Sequence, residues 1–95
     1  MKQSLQYLSE SLSNYVEDDN MCQDICDKLE TGNFEEEIEF IEALDEEEVV
    51  YLEEILQKEL AYAESAQDNI RVQKLETIYQ VLFWDHIKLS RWLGK

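Results

Sequence analysis

The sequence predicts an all-α protein, a compact bundle of four or five helices ending in a helical hairpin. Three observations carry that prediction. The 95 residues include no proline and only two glycines, the residues that mark loops, strand edges and tight turns. Glu, Leu, Ile, Gln, Lys and Ala dominate the chain, and these side chains lose little on entering a helix. Apolar residues recur at steps of three and four along most of the length. A chain of 95 residues fits one compact domain, and 44% hydrophobic residues are too many for intrinsic disorder. Within that single domain, 1–32 should hold two short helices, 33–64 acidic helices and 65–95 a mildly basic, aromatic C-terminal helix.

The first helix is expected from Gln3 to Val16, with Leu5, Leu8, Leu12 and Tyr15 or Val16 on one stripe. Continuing the stripe lands on Asp19, Asn20 and Gln23, which are polar, so the helix should break at Asp18-Asp19-Asn20. Asp18 or Asp19 can cap a second helix from Asn20 to Glu30, with Met21 or Cys22, Ile25 and Leu29 facing inward. Gly32 stands where a left-handed C-terminal cap belongs. Asn33 followed by Glu36 has capping-box spacing and should open a third helix that buries Phe34, Ile38, Ile41 and Leu44. Asp45 and Glu48 repeat the box before a fourth helix with Val49, Leu52, Leu56, Leu60 and Ala63 as its stripe. A tight turn at Ser65–Asn69, lacking both glycine and proline, then leads into a last helix, Asn69 to Leu93. Its stripe is Val72, Leu75, Ile78 or Tyr79, Leu82, His86, Leu89 and Leu93. The rival reading is one unbroken helix from Glu46 to Leu93, about 70 Å long at the standard rise, which would need a coiled-coil partner.

The formal charge is −15 and it is unevenly spread. Residues 1–33 carry −5, residues 34–64 carry −12 and residues 65–95 carry +2. Such a field repels nucleic acid backbones and anionic membranes and favours a cationic partner. The acidic runs can be a solvated face, with the basic last helix packed antiparallel to the fourth and offsetting its self-repulsion. They can equally be a landing surface for a basic protein, through Glu46, Glu47, Glu53 and Glu54 of the fourth helix. DNA mimicry is the extreme form of the second reading. No stretch of 18 apolar residues is present, and the N-terminus lacks the pattern of a signal peptide. A cytoplasmic protein with reduced cysteines is therefore expected.

Val81-Leu82-Phe83-Trp84 is a second unusual feature, because four consecutive residues at about 100° per step cover the whole helix circumference. Leu82, with Phe83 and Tyr79, can enter the core. Trp84 then projects elsewhere with Ile87, Lys88 and Arg91, and Trp92 lies one turn beyond Lys88. Tryptophan and arginine are the residues most enriched at binding hot spots. The competing reading is a central helix buried on several sides. Tyr51 and Ile55, off the main stripe of the fourth helix, either extend this patch or line a second core face.

No motif points to catalysis. Cys22 and Cys26 share a helical face, but their spacing is not that of a zinc knuckle, and His86 is the one histidine. The glutamate runs lack the alternating ligands and glycine of a calcium loop. His86 invites a phosphotransfer reading without any supporting signature. A nucleophile elbow and a phosphate-binding glycine loop are both missing. The expectation is a non-enzymatic protein with no cofactor and no metal, a regulatory adaptor or inhibitor that binds another protein with a basic surface. The alternative is a self-associating subunit, a homodimer formed through its C-terminal helix.

Overall fold

The computed structural model describes the backbone of residues 2–93 and the side chains of residues 2–84. Five helices pack together: α1 (Gln3–Ser13), α2 (Asn20–Gly32), α3 (Glu37–Glu42), α4 (Glu46–Ser65) and α5 (Asn69–Leu93), with no strand among the described residues. The helices share one core, in which α5 packs on α1, α3 and α4, and α2 closes over α1 and α4. The all-α bundle read from the sequence is the observed fold.

Leu5, Leu8 and Leu12 are fully buried, as their spacing requires. However, α1 stops at Ser13 rather than Val16. The Leu12 carbonyl accepts from the Tyr15 amide three residues on, which tightens the chain into turns. It also accepts the Cys22 thiol at 3.1 Å, tying α1 to α2. Asp19, not Asp18, caps α2, through its carboxylate and the Met21 amide at 2.9 Å. Cys22, Ile25, Cys26 and Leu29 form the buried face.

The end of α2 differs from expectation. Gly32 is the last helical residue, and the left-handed residue is Asn33, at φ 49° and ψ 50°. The glycine serves close approach instead, since a Cβ at position 32 would lie 2.2 Å from the Phe34 ring. Asn33, committed to ending α2, does not cap α3. That helix begins at Glu37, where the Glu39 carboxylate reaches back to the amides of Glu35 and Glu36. The shift changes which residues α3 buries. Phe40 and Ile41 are inside, Phe34 and Leu44 only partly so, and Ile38 is exposed.

The Asp45–Glu48 capping box is present in both directions, at 2.9 and 3.0 Å. Val49, Leu52, Leu56 and Ala63 are buried on α4, while Leu60 is half-buried. Ile55 joins the core, so the position read as a possible patch lines a second core face. The turn between α4 and α5 exists, which removes the unbroken-helix reading. Gln67 supplies it with φ 58°, and Asp68 accepts from the Arg71 amide to start α5. Leu75, Ile78 and Leu82 are buried on α5, with Val72 and Tyr79 half-buried. The side chains of His86, Leu89 and Leu93 lie outside the described residues.

Candidate functional site

Two surfaces stand out, with one buried feature between elements. The first is the acidic start of α4. Glu46 and Glu47 are exposed in its first turn, where the helix dipole favours negative charge. Glu54 is exposed and Glu53 half-exposed one to two turns on. Among the described residues none of these four carboxylates forms an ion pair. Of the basic residues that could offset the charge of α4, Arg71 and Lys74 are described and form no ion pair with α4, while Lys88, Arg91 and Lys95 lie outside the described side chains. Arg71 turns instead to α1, donating to the Ser11 hydroxyl at 2.8 Å and lying 3.6 Å from Glu10. Its guanidinium also stacks over the Tyr7 ring at 5.7 Å. The polar link described between α4 and α5 is one hydrogen bond, from the Gln57 amide to the Tyr79 hydroxyl.

The second surface is on α5. Trp84 is 71% exposed and Phe83 is 52% exposed. Phe83 therefore does not join Leu82 in the core, contrary to the sequence reading. Ile87, Lys88, Arg91 and Trp92 were read as the rest of this patch, and their side chains lie outside the described residues.

The third feature was missed in the sequence. Three glutamates are buried, Glu37, Glu48 and Glu59. Glu37 accepts from the Ser4 hydroxyl at 2.8 Å and from the Lys2 ammonium at 3.2 Å. Burial pushes its carboxyl upward, but its own backbone amide, Ser4 and Lys2 together outweigh that and hold it below the ordinary value. Glu48 pairs with Lys28, whose ammonium is correspondingly raised. Glu59 differs. Its Oε2 accepts from the Tyr15 hydroxyl at 2.8 Å, and no ammonium or guanidinium among the described residues pairs with it. Burial, then the bond to Glu59, pushes the Tyr15 phenol up to about 12, so the hydroxyl keeps its proton and donates.

Glu59 lines a groove of about 480 Å³, between the end of α1 and the α4–α5 turn. Tyr15, Tyr62, Ala63, Asp68 and Arg71 line it too. The signal in the sequence was the spacing Leu52, Leu56, Glu59, Ala63, a carboxylate on a core stripe where Leu60 had been chosen instead. Its partner Tyr15 is 44 residues away, beyond the reach of local pattern.

The cysteines are core residues in this structure. Both are buried free thiols, and burial pushes Cys26 up to about 12, far from a reactive thiolate. Among the described residues no group of three or more His, Cys, Asp or Glu side chains gathers to hold a metal. The zinc and phosphotransfer readings both need His86, whose side chain is outside the described residues. No helix among the described residues is long and apolar enough to cross a membrane.

Fold and surface together define a small acidic helical bundle. Among the described residues they offer a carboxylate face without ion pairs and a buried carboxyl, Glu59, without a cationic partner. The chain belongs to the CsgA family, described as minor curli fiber component A, whose profile matches residues 1–83. It is also similar to a sigma-G-dependent sporulation-specific SASP protein of Bacillus subtilis (strain 168). The two are 40% identical over 82 residues, 86% of this chain and 99% of the relative. No solved structure matches. The family match takes in the acidic face and the groove, and it ends before Trp84, Ile87, Lys88, Arg91 and Trp92.

Proposed function

We propose that the protein is a non-enzymatic acidic interaction module, a regulatory adaptor or inhibitor of a partner with a basic surface. One observation carries this reading. The carboxylates of Glu46, Glu47, Glu53 and Glu54 are presented by a rigid, well-capped helix without internal ion pairs among the described residues. Preorganised like charges raise association rates with an oppositely charged surface and make binding sensitive to salt. The face also lies inside the span matched by the family, whereas the aromatic patch does not. The sporulation-specific relative supports looking for the partner in sporulating cells. The test is affinity capture from a sporulating lysate at low and high salt. It compares the native chain with a variant in which Glu46, Glu47, Glu53 and Glu54 are glutamine. The expected result is one stoichiometric basic protein, lost at high salt and lost with the variant. A partner that survives both changes would remove the acidic face from the mechanism.

A second reading is favoured by Trp84 and Phe83, two large apolar side chains open to solvent, and by the family description, which names a fiber component. In this reading the chain self-associates through α5. Sedimentation of the native chain should then give a dimer or larger species, reduced to a monomer by Trp84→Ala. A native chain that is monomeric at high concentration would eliminate it.

A further inference from the structure

The three buried glutamates form a natural comparison. Glu37 meets the Lys2 ammonium and Glu48 meets Lys28, but among the described residues the one side-chain partner of Glu59 is a neutral phenol. A carboxylate removed from water without a cation is costly, and structures normally supply the missing charge. The cation of this groove, Arg71, does not do so. It is held by Ser11, Glu10 and Asp68 and stacked on Tyr7. From this geometry we propose that the groove at the α1 and α4–α5 end binds an alkylammonium group, the tip of a lysine side chain on a basic protein partner.

The walls specify the ligand further. Tyr15 and Tyr62 line the groove together with the carboxylate, and aromatic rings there can attract a cation. Ala63 gives an apolar surface for the methylene stem. Glu59 has one oxygen committed to Tyr15, which leaves the other for the ligand. A guanidinium recognises a carboxylate best through both oxygens at once, whereas an ammonium is a point charge that needs one. Asp68 also lines the groove and, although engaged with Arg71, adds a second negative charge to it. A metal ion is not favoured, since no three ligating side chains converge among the described residues.

The proposal deepens the reading of a basic partner, but it is tested without that partner. The probe is a short capped peptide containing one lysine, titrated into the intact chain and followed by NMR shifts of the Ala63 and Ala66 amides. Parallel titrations use the same peptide with its lysine acetylated, and spermidine. The lysine peptide is expected to bind once per chain, and acetylation to weaken it at least tenfold. Glu59→Gln should weaken it about tenfold, whereas Glu42→Gln, at an exposed position of α3 outside both surfaces and with the same change in net charge, should leave it within twofold. Tyr62 is 68% exposed, so Tyr62→Ala should keep the fold and still weaken binding about threefold. Equal losses in Glu59→Gln and Glu42→Gln would mean diffuse attraction to an acidic protein and would overturn the site. Glu59-dependent binding of spermidine much tighter than that of the peptide would overturn the protein partner in favour of a free polyamine. If Glu59→Gln unfolds by circular dichroism, unchanged binding in Tyr62→Ala overturns the proposal. Capture of a basic protein through Glu46 and Glu47 while Glu59→Gln has no effect would sink the groove and leave the interaction reading standing.

Discussion

Glu37 shows how much depends on single buried polar atoms in a bundle this small. It lies in the first turn of α3 and holds both the Ser4 hydroxyl and the Lys2 ammonium, so it fastens the start of α1 to a six-residue helix. Its folded carboxyl sits below the ordinary value of 4.5. A depressed carboxylate stabilises the fold fully above the unfolded value and loses that contribution as pH falls through the folded one. Glu37→Gln keeps the shape and removes the charge, and should cost about 1.5 kcal/mol at neutral pH. Urea denaturation at several pH values should show the gap between native and variant shrinking below about pH 4.5. A gap independent of pH would mean that the ion pair contributes nothing. Glu59 shows the opposite arrangement, a buried charge whose one described partner is neutral. It was also the residue hardest to find, because a glutamate on a leucine stripe looks like a break in the pattern rather than part of it.

The start of α4 and most of its buried stripe are legible in the sequence, although Glu59 is buried where the stripe was drawn through Leu60. A true capping box and a four-step stripe agree there, and the helix follows both. By contrast, the α2–α3 junction was misread because Asn33 and Glu36 imitate a box, while Phe34 needs the space above Gly32 and Asn33 takes the left-handed turn. Local spacing could not show that two residues further on would choose the cap. A consequence can be measured. Glycine to alanine at the end of a helix ordinarily stabilises it, by up to about 1 kcal/mol. Gly32→Ala should instead destabilise by about 1 kcal/mol, because the new methyl displaces Phe34 from its contact with Phe40 at 5.8 Å. Repeating the change in a Phe34→Ala background should reverse the sign. The α4–α5 turn carries its own prediction. Gln67 holds a left-handed conformation that costs a side chain about 1–2 kcal/mol. Glycine adopts it freely but loses more entropy on folding. Gln67→Gly should therefore stabilise the fold by about 0.5 kcal/mol, read as a higher urea midpoint at unchanged slope, and a loss would show that the glutamine makes a compensating contact.

At the scale of the whole molecule, charge and order of assembly matter most. A net charge of −15 on 95 residues is self-repulsive, and the described ion pairs gather around only three cations, Lys2, Lys28 and Arg71. Salt should therefore stabilise the fold. If screening recovers about 1 kcal/mol, the thermal midpoint should rise by roughly 4–8 °C between low and moderate salt. A falling midpoint would show that the ion pairs outweigh the repulsion. The bundle also depends on α5, which packs on α1, α3 and α4 although it comes last of the five in the chain. The ribosome releases a chain N-terminus first, so residues 1–64 emerge before the helix that packs on α1, α3 and α4, and the parts of their apolar stripes that α5 covers stay exposed. They carry a charge of −17 at that stage, and like charge opposes close approach of two such unfinished chains. The acidity that marks this protein's surface thus has a physical consequence before the surface exists: it disfavours association of the chain in the interval between synthesis and closure.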